Sequence, residues 1–93
     1  MNVHSPSSDI LKFTYYTIQR STVYFKFFSS LTKTEQTVFN HLINGLNTKE
    51  IADKLGVTTF AIKHHISAIL KTFKQKTVIK LVVWYYKDLL NHH

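Results

Sequence analysis

Residues Thr48–Phe73 read TKEIADKLGVTTFAIKHHISAILKTF. Ile51, Ala52 and Leu55 recur at helical spacing, so a short helix capped by Thr48 buries these three and stops at Gly56. Thr58 then caps a longer helix. In it Ile62, Ile66, Ile69, Leu70 and Phe73 fall at i, i+4, i+7, i+8 and i+11, one sustained apolar stripe. A short helix, a glycine-containing turn and a longer helix form the helix-turn-helix pattern.

The pattern extends on both sides. Upstream, Leu31-Thr32-Lys33-Thr34-Glu35 has the Thr-x-x-Glu spacing of a capping box. Val38, Phe39, Leu42 and Ile43 follow as one stripe, and Gly45 is a natural stop. Downstream, after Gln75-Lys76, a fourth helix runs from about Thr77 to Leu90. The fold class expected is therefore all-α: a compact four-helix domain over residues 31–91. An aromatic-rich extension, residues 1–30, precedes it. Within that extension Ile10, Leu11, Phe13, Tyr15 and Ile18 suit a helix, with Ser8 as a cap. The Thr, Tyr, Phe and Val density to Phe28 and the alternation of Val23, Phe25 and Phe27 suit a strand. A helix over about Asp9–Gln19 followed by extended chain is the reading adopted.

Composition narrows the partners. Ninety-three residues make one domain, and 44% apolar content makes it a folded one. The absence of cysteine excludes a disulfide scaffold, a thiol nucleophile and a thiolate metal site. Twelve Lys and Arg against five Asp and Glu give a net charge of +7, which suits a polyanionic partner. Five acids leave little for carboxylate-pair catalysis. No Gly-rich phosphate loop and no paired nucleophile and base is present, so neither an enzyme nor a cofactor is expected. Residues 1–9 carry no secretory signal, and no apolar run approaches the ~20 residues of a membrane span. The expectation is a cytoplasmic, nucleoid-associated protein with no membrane contact.

With its apolar stripe turned inward, the third helix presents His64, Ala68 and Lys71, flanked by Lys63, Ser67 and Lys74. His65 lies at the border of the buried stripe. Four lysines and no acid occur between Thr59 and Thr77. A solvated lysine face would look the same in isolation. Joined to a helix-turn-helix and a basic chain, it reads as a surface for the major groove of double-stranded DNA. His64 and His65, being adjacent, point about 100° apart on a helix and cannot chelate one ion together, so no metal site is expected.

Taken together, Leu31-Thr32…Glu35, Gly45-Leu46, Lys49-Glu50-Ile51-Ala52…Leu55-Gly56-Val57-Thr58 and Ile62-Lys63…His65…Ile69-Leu70-Lys71 resemble the LuxR/FixJ (GerE-type) DNA-binding domain. The resemblance runs without a gap from about Leu31 to Trp84. It implies a promoter-binding dimer with the third helix in the major groove, base-reading positions at Lys63, His64 and Ser67, and phosphate contacts at Lys49, Thr58, His65 and Lys71. Thr59 and Lys74 join the phosphate set on the same surface. Phe60 and Ala61 stand where the family usually has a hydroxyl. Val78 replaces a common arginine, and Phe73 a usual Leu or Met. Thirty residues cannot hold the receiver or autoinducer domain that often precedes the module, so a stand-alone regulator controlled by its amount or by a partner is expected.

The fourth helix carries two apolar stripes, Val78/Leu81/Val82/Tyr85/Leu89 and Ile79/Val83/Tyr86/Leu90, with Trp84 on a third side. A small domain offers one core, so one stripe must meet something else. A homodimer through Ile79, Val83, Tyr86 and Leu90 is the first reading, and residues 10–28 folding back over the stripe is the other. Residues 10–28 are also a candidate surface for a protein partner. A protein-docking use of the whole fold, as antagonist or co-regulator of another transcription factor, is the competing functional class. The lysine face argues against it.

Overall fold

The computed structural model describes residues 21–91, and among them it holds five helices and no strand. These are α1 (Thr22–Ser29), α2 (Lys33–Ile43), α3 (Thr48–Leu55), α4 (Thr59–Thr72) and α5 (Val78–Asn91). The all-α expectation holds.

Short polar side chains set the helix starts. Thr32 Oγ1 accepts from the Glu35 amide at 3.1 Å while Glu35 Oε1 accepts from the Thr32 amide at 3.0 Å, a complete capping box. The start of α3 differs from expectation: Thr48 is its first helical residue and Asn47 is the cap. The residue three before Glu50 is Asn47, and the two exchange a reciprocal pair of bonds, each 2.8 Å. Thr58 caps α4 as expected, accepting from the Ala61 amide at 3.1 Å. Thr77 does the same for α5 through the Lys80 amide at 3.1 Å.

The segment before residue 30 departs most from the sequence reading. Val23, Phe25 and Phe27 alternate as in a strand, yet they lie in α1. Ser21 Oγ accepts from the Tyr24 amide at 3.0 Å and starts the helix. Helical spacing then places Tyr24, Phe27 and Phe28 together against the core, and Val23 and Phe25 turn to solvent. Partial burial of three rings against the core outweighs a β-propensity that spans only about 1 kcal/mol. Gln36 Nε2 donates to the carbonyls of Phe28 (3.1 Å) and Leu31 (3.4 Å), tying α1 to α2. The Ser21 amide donates to Asp88 Oδ2 at 3.4 Å, tying it to α5. The helix expected over residues 9–19 lies outside the described residues.

At the centre is α4, which packs against α2, α3 and α5. Its Ile62, Ile69 and Phe73 are sealed from solvent together with Val38 and Phe39 of α2, Ile51 of α3 and Leu81 of α5. The expected inward stripe is thus the buried one. Phe73 is the junction of the aromatic part of this core. Its ring stacks on Phe39 with centroids 4.9 Å apart and planes 9° from parallel. It meets Phe27 and Trp84 edge-on, each at 5.4 Å. The phenyl ring thus reaches α1 and α5 at once.

Two helices end in the same backbone motif with different residues. At the end of α2 the Gly45 amide donates to the Leu42 carbonyl and the Leu46 amide to that of His41, with Gly45 at φ +90°. At the end of α4 the Lys74 amide donates to the Lys71 carbonyl and the Gln75 amide to that of Leu70, with Lys74 at φ +56°. Both are Schellman turns. A side chain in that left-handed well carries a penalty that glycine avoids.

Two stability measurements follow. In urea unfolding, Phe73→Ala should lose about 3–5 kcal/mol, whereas Ile79→Ala at an exposed site should stay within about 0.5 kcal/mol of the parent. Equal losses would place the aromatic junction elsewhere. Lys74→Gly should gain about 1 kcal/mol by relieving the left-handed turn. A loss would mean that the lysine side chain anchors the turn.

Candidate nucleic-acid interface

The face of α4 opposite its buried stripe is open. Lys63, His64, Ser67 and Lys71 are exposed, and so is Lys74 just beyond the helix end. Ala68, expected at the middle of this face, is half-buried. The open surface is therefore centred closer to Lys63, Ser67 and Lys71. The small Ser67 at its middle leaves room for a groove floor to approach the helix backbone.

His65 sits where α4 turns toward α2. Its ring is half-buried, and Nδ1 is shielded from solvent with no hydrogen-bond partner among the described residues. With Thr34, Thr37, Leu55, Val57 and Ile62 it lines an open groove of about 280 Å³. It is thus a border residue, as its helical phase suggested. His64 points away, its ring centroid 6.3 Å from that of His65 and the two planes 67° apart. Among the described residues no group of three His, Cys, Asp or Glu side chains is placed to hold a metal ion.

Three of the candidate phosphate contacts lie at two helix starts, while His65, Lys71 and Lys74 lie further along α4 and just beyond its end. Lys49 is exposed in the first turn of α3, and Thr58 and Thr59 are exposed at the start of α4. Thr58 uses its oxygen to accept from the helix, which leaves its hydroxyl hydrogen to donate outward. The disposition of the acids sharpens the field. Residues 21–91 contain four. Glu35 and Glu50 each accept from an N-cap amide, and Asp88 is buried and accepts from the Ser21 amide at the start of α1. Asp53, exposed on α3, is the fourth. The first turn of α4 contains no acid. Its partial positive charge therefore adds to that of nearby Lys63 without a carboxylate of its own to offset it, and Lys71 and Lys74 carry the positive charge on to the other end of the helix.

On α5 the stripe containing Leu81 faces the core, and Val78, Val82 and Tyr85 are partly buried beside it. The other stripe stays open: Ile79 is 76% exposed, Val83 47%, Tyr86 43% and Leu90 70%. Tyr86 also donates its hydroxyl to the Ile43 carbonyl at 2.9 Å, which fixes the ring beside the end of α2. The described part of the amino-terminal segment does not cover this stripe. It covers Trp84 and Tyr85 instead, with Phe27 and Tyr24 at 6.4 and 5.8 Å.

Two residues that matter here were not picked out from sequence. Asp88 looks like a solvated acid, and only its position one turn past Trp84 and Tyr85 hints that it sits on a packed side. Ser21 looks like part of a polar stretch, although Ser21 followed by Tyr24, Phe27 and Phe28 is a cap followed by helical spacing.

No helix among the described residues is long and apolar enough to cross a membrane. No curated protein and no solved structure matches the chain. Residues 29–85, more than half of its length, match the family model of bacterial regulatory proteins of the luxR family. That span opens at the last residue of α1, takes in α2, α3 and α4 whole, and ends inside α5. The chain belongs to the LuxR family of bacterial regulators, a family of DNA-binding transcription regulators.

Proposed function

We propose that the protein is a sequence-specific transcription regulator that binds promoter DNA on the bacterial chromosome as a homodimer. Residues 31–91 form the DNA-binding domain, and residues 1–30 are an extension whose described end, α1, braces it. In this reading α4 enters the major groove, with Lys63, His64 and Ser67 against base edges. Lys49, Thr58, Thr59, His65, Lys71 and Lys74 hold the phosphates on either side. The observation that carries it is the exposure of His64 and Ser67 across α4 from Ile62, Ile66 and Ile69, with Lys63 exposed on the flank beside them. Lysine and serine can donate to base acceptors, and histidine can donate or accept there.

Dimer contact through Ile79, Val83 and Leu90, with Tyr86 at its edge, is supported by their exposure on one stripe of a helix whose other stripe is buried. A shallow groove of about 330 Å³, lined by Leu42, Ile43, Leu46, Val78, Ile79 and Val82, runs beside that stripe and could take side chains from a second copy. Two modules related by a twofold axis read half-sites about one DNA turn apart and add their energies. Lys80 and Lys87 border the opposite flank of the stripe. That feature favours one competing reading, an acidic protein partner docked on α5.

Selection of bound sites from random DNA should enrich a palindrome. Retained folding with no enriched site would favour the protein-docking reading. Lys63→Ala should lose about 1–3 kcal/mol on the selected site and less on random sequence. Equal loss on both would assign Lys63 to phosphate alone. If the two protomers contact six to ten phosphates, affinity should fall about 10³–10⁵-fold between about 50 and 200 mM salt. Val83→Asp should sediment as a monomer, and an unchanged dimer would move the contact off this stripe.

A further inference from the structure

Phe60 is 80% exposed, more than any other large apolar side chain among the described residues. A lone apolar residue on a surface is ordinary. Its place is what singles this one out. It is the second residue of α4, and Lys63, His64, Ser67 and Lys71 lie three, four, seven and eleven positions further on. At 3.6 residues per turn, Phe60, His64, Ser67 and Lys71 fall within about 60° of arc. The phenyl ring therefore stands at the head of the same face that carries the candidate base-reading groups. It is also at the amino-terminal end of the helix, the end that reaches base edges when such a helix enters a groove.

The neighbours on that face are cationic or hydroxylic. On α4 no second exposed large apolar side chain accompanies Phe60; Val57, 46% exposed, precedes it in the turn, and Ile79 and Leu90 belong to α5. One ring and one half-exposed valine beside lysines make a poor anchor for a protein interface, which clusters its apolar contacts. It cannot hydrogen-bond a phosphate or a base. The major groove offers one apolar group for it, the C5 methyl of thymine. Resting on the DNA-binding reading above, we infer that Phe60 is a specificity residue that packs on a thymine methyl in each half-site. It thereby selects an A·T pair at a position where hydrogen-bonding side chains alone would not.

The test uses the full chain and the site it selects from random DNA. Each thymine of that site is replaced singly by deoxyuridine, which removes only the methyl group. Binding should weaken about fourfold at one symmetric position per half-site, the effect of uncovering one methyl. With Phe60→Ser the same replacement should have no effect, and repeated selection should lose the thymine preference at that position. As an exposed residue Phe60 leaves the fold intact when replaced, and the deoxyuridine series on the parent protein needs no variant. The inference is overturned if no thymine is sensitive, or if the sensitivity survives in Phe60→Ser. Either result leaves DNA binding itself standing, whereas failure of the parent to enrich any site removes both readings.

Discussion

The parallel stack of Phe73 on Phe39 sets the rotation of α4 about its own axis. With Phe73 held against α2 and gripped edge-on by Phe27 and Trp84, the helix can bury only one stripe. Ile62, Ile66 and Ile69 share that phase. Everything on the opposite side is then turned outward by geometry and needs no interaction of its own to hold it there. A rotation by one residue, about 100°, would bring Lys63 into the core. The cost of burying an unpaired ammonium opposes that rotation.

Charge follows a similar division. The chain is strongly basic, yet three of the four carboxylates in residues 21–91 lie against backbone amides and complete helix starts, and Asp53 on α3 is the exception. Three helices are closed in this way at their amino ends. The helix we propose to meet the polyanion relies on the Thr58 hydroxyl, a cap without charge. Local folding signals and long-range electrostatics thus use the same residues without conflict.

From Leu31 onward nearly all of this was legible in the sequence, because each element there carries its own start, stripe and stop. The capping boxes are local, and the 3.6-residue period over residues 62–73 admits one inward face. The misreadings came where local signals were weak or shared. Asn47 and Thr48 are both good caps, and the partner of Glu50 decides between them. Val23, Phe25 and Phe27 alternate like a strand, and only the rings of Phe39, Phe73, Trp84 and Tyr85, distant along the chain, make a helix the better burial. The two stripes of α5 could not be ranked by period alone, since both are apolar. The choice rests on Leu81 fitting beneath α2 and α4, a tertiary fact.

The Ser21–Asp88 contact joins residues 67 positions apart. The contacts among α2, α3 and α4 span far shorter stretches of chain. Order along the folding route follows from that contrast: the helix-turn-helix can assemble from neighbours, whereas α1, which also meets Phe39 and Phe73, gains its Trp84, Tyr85 and Asp88 contacts only once α5 has arrived. With no fully buried residue of its own, the brace is the helix least secured against local opening. Such an opening would bare Trp84 and Tyr85 and take the Phe27 edge away from Phe73, leaving Phe39 and Trp84 to hold α4 in phase, so loosening at one end of this small protein reaches the other only through one ring.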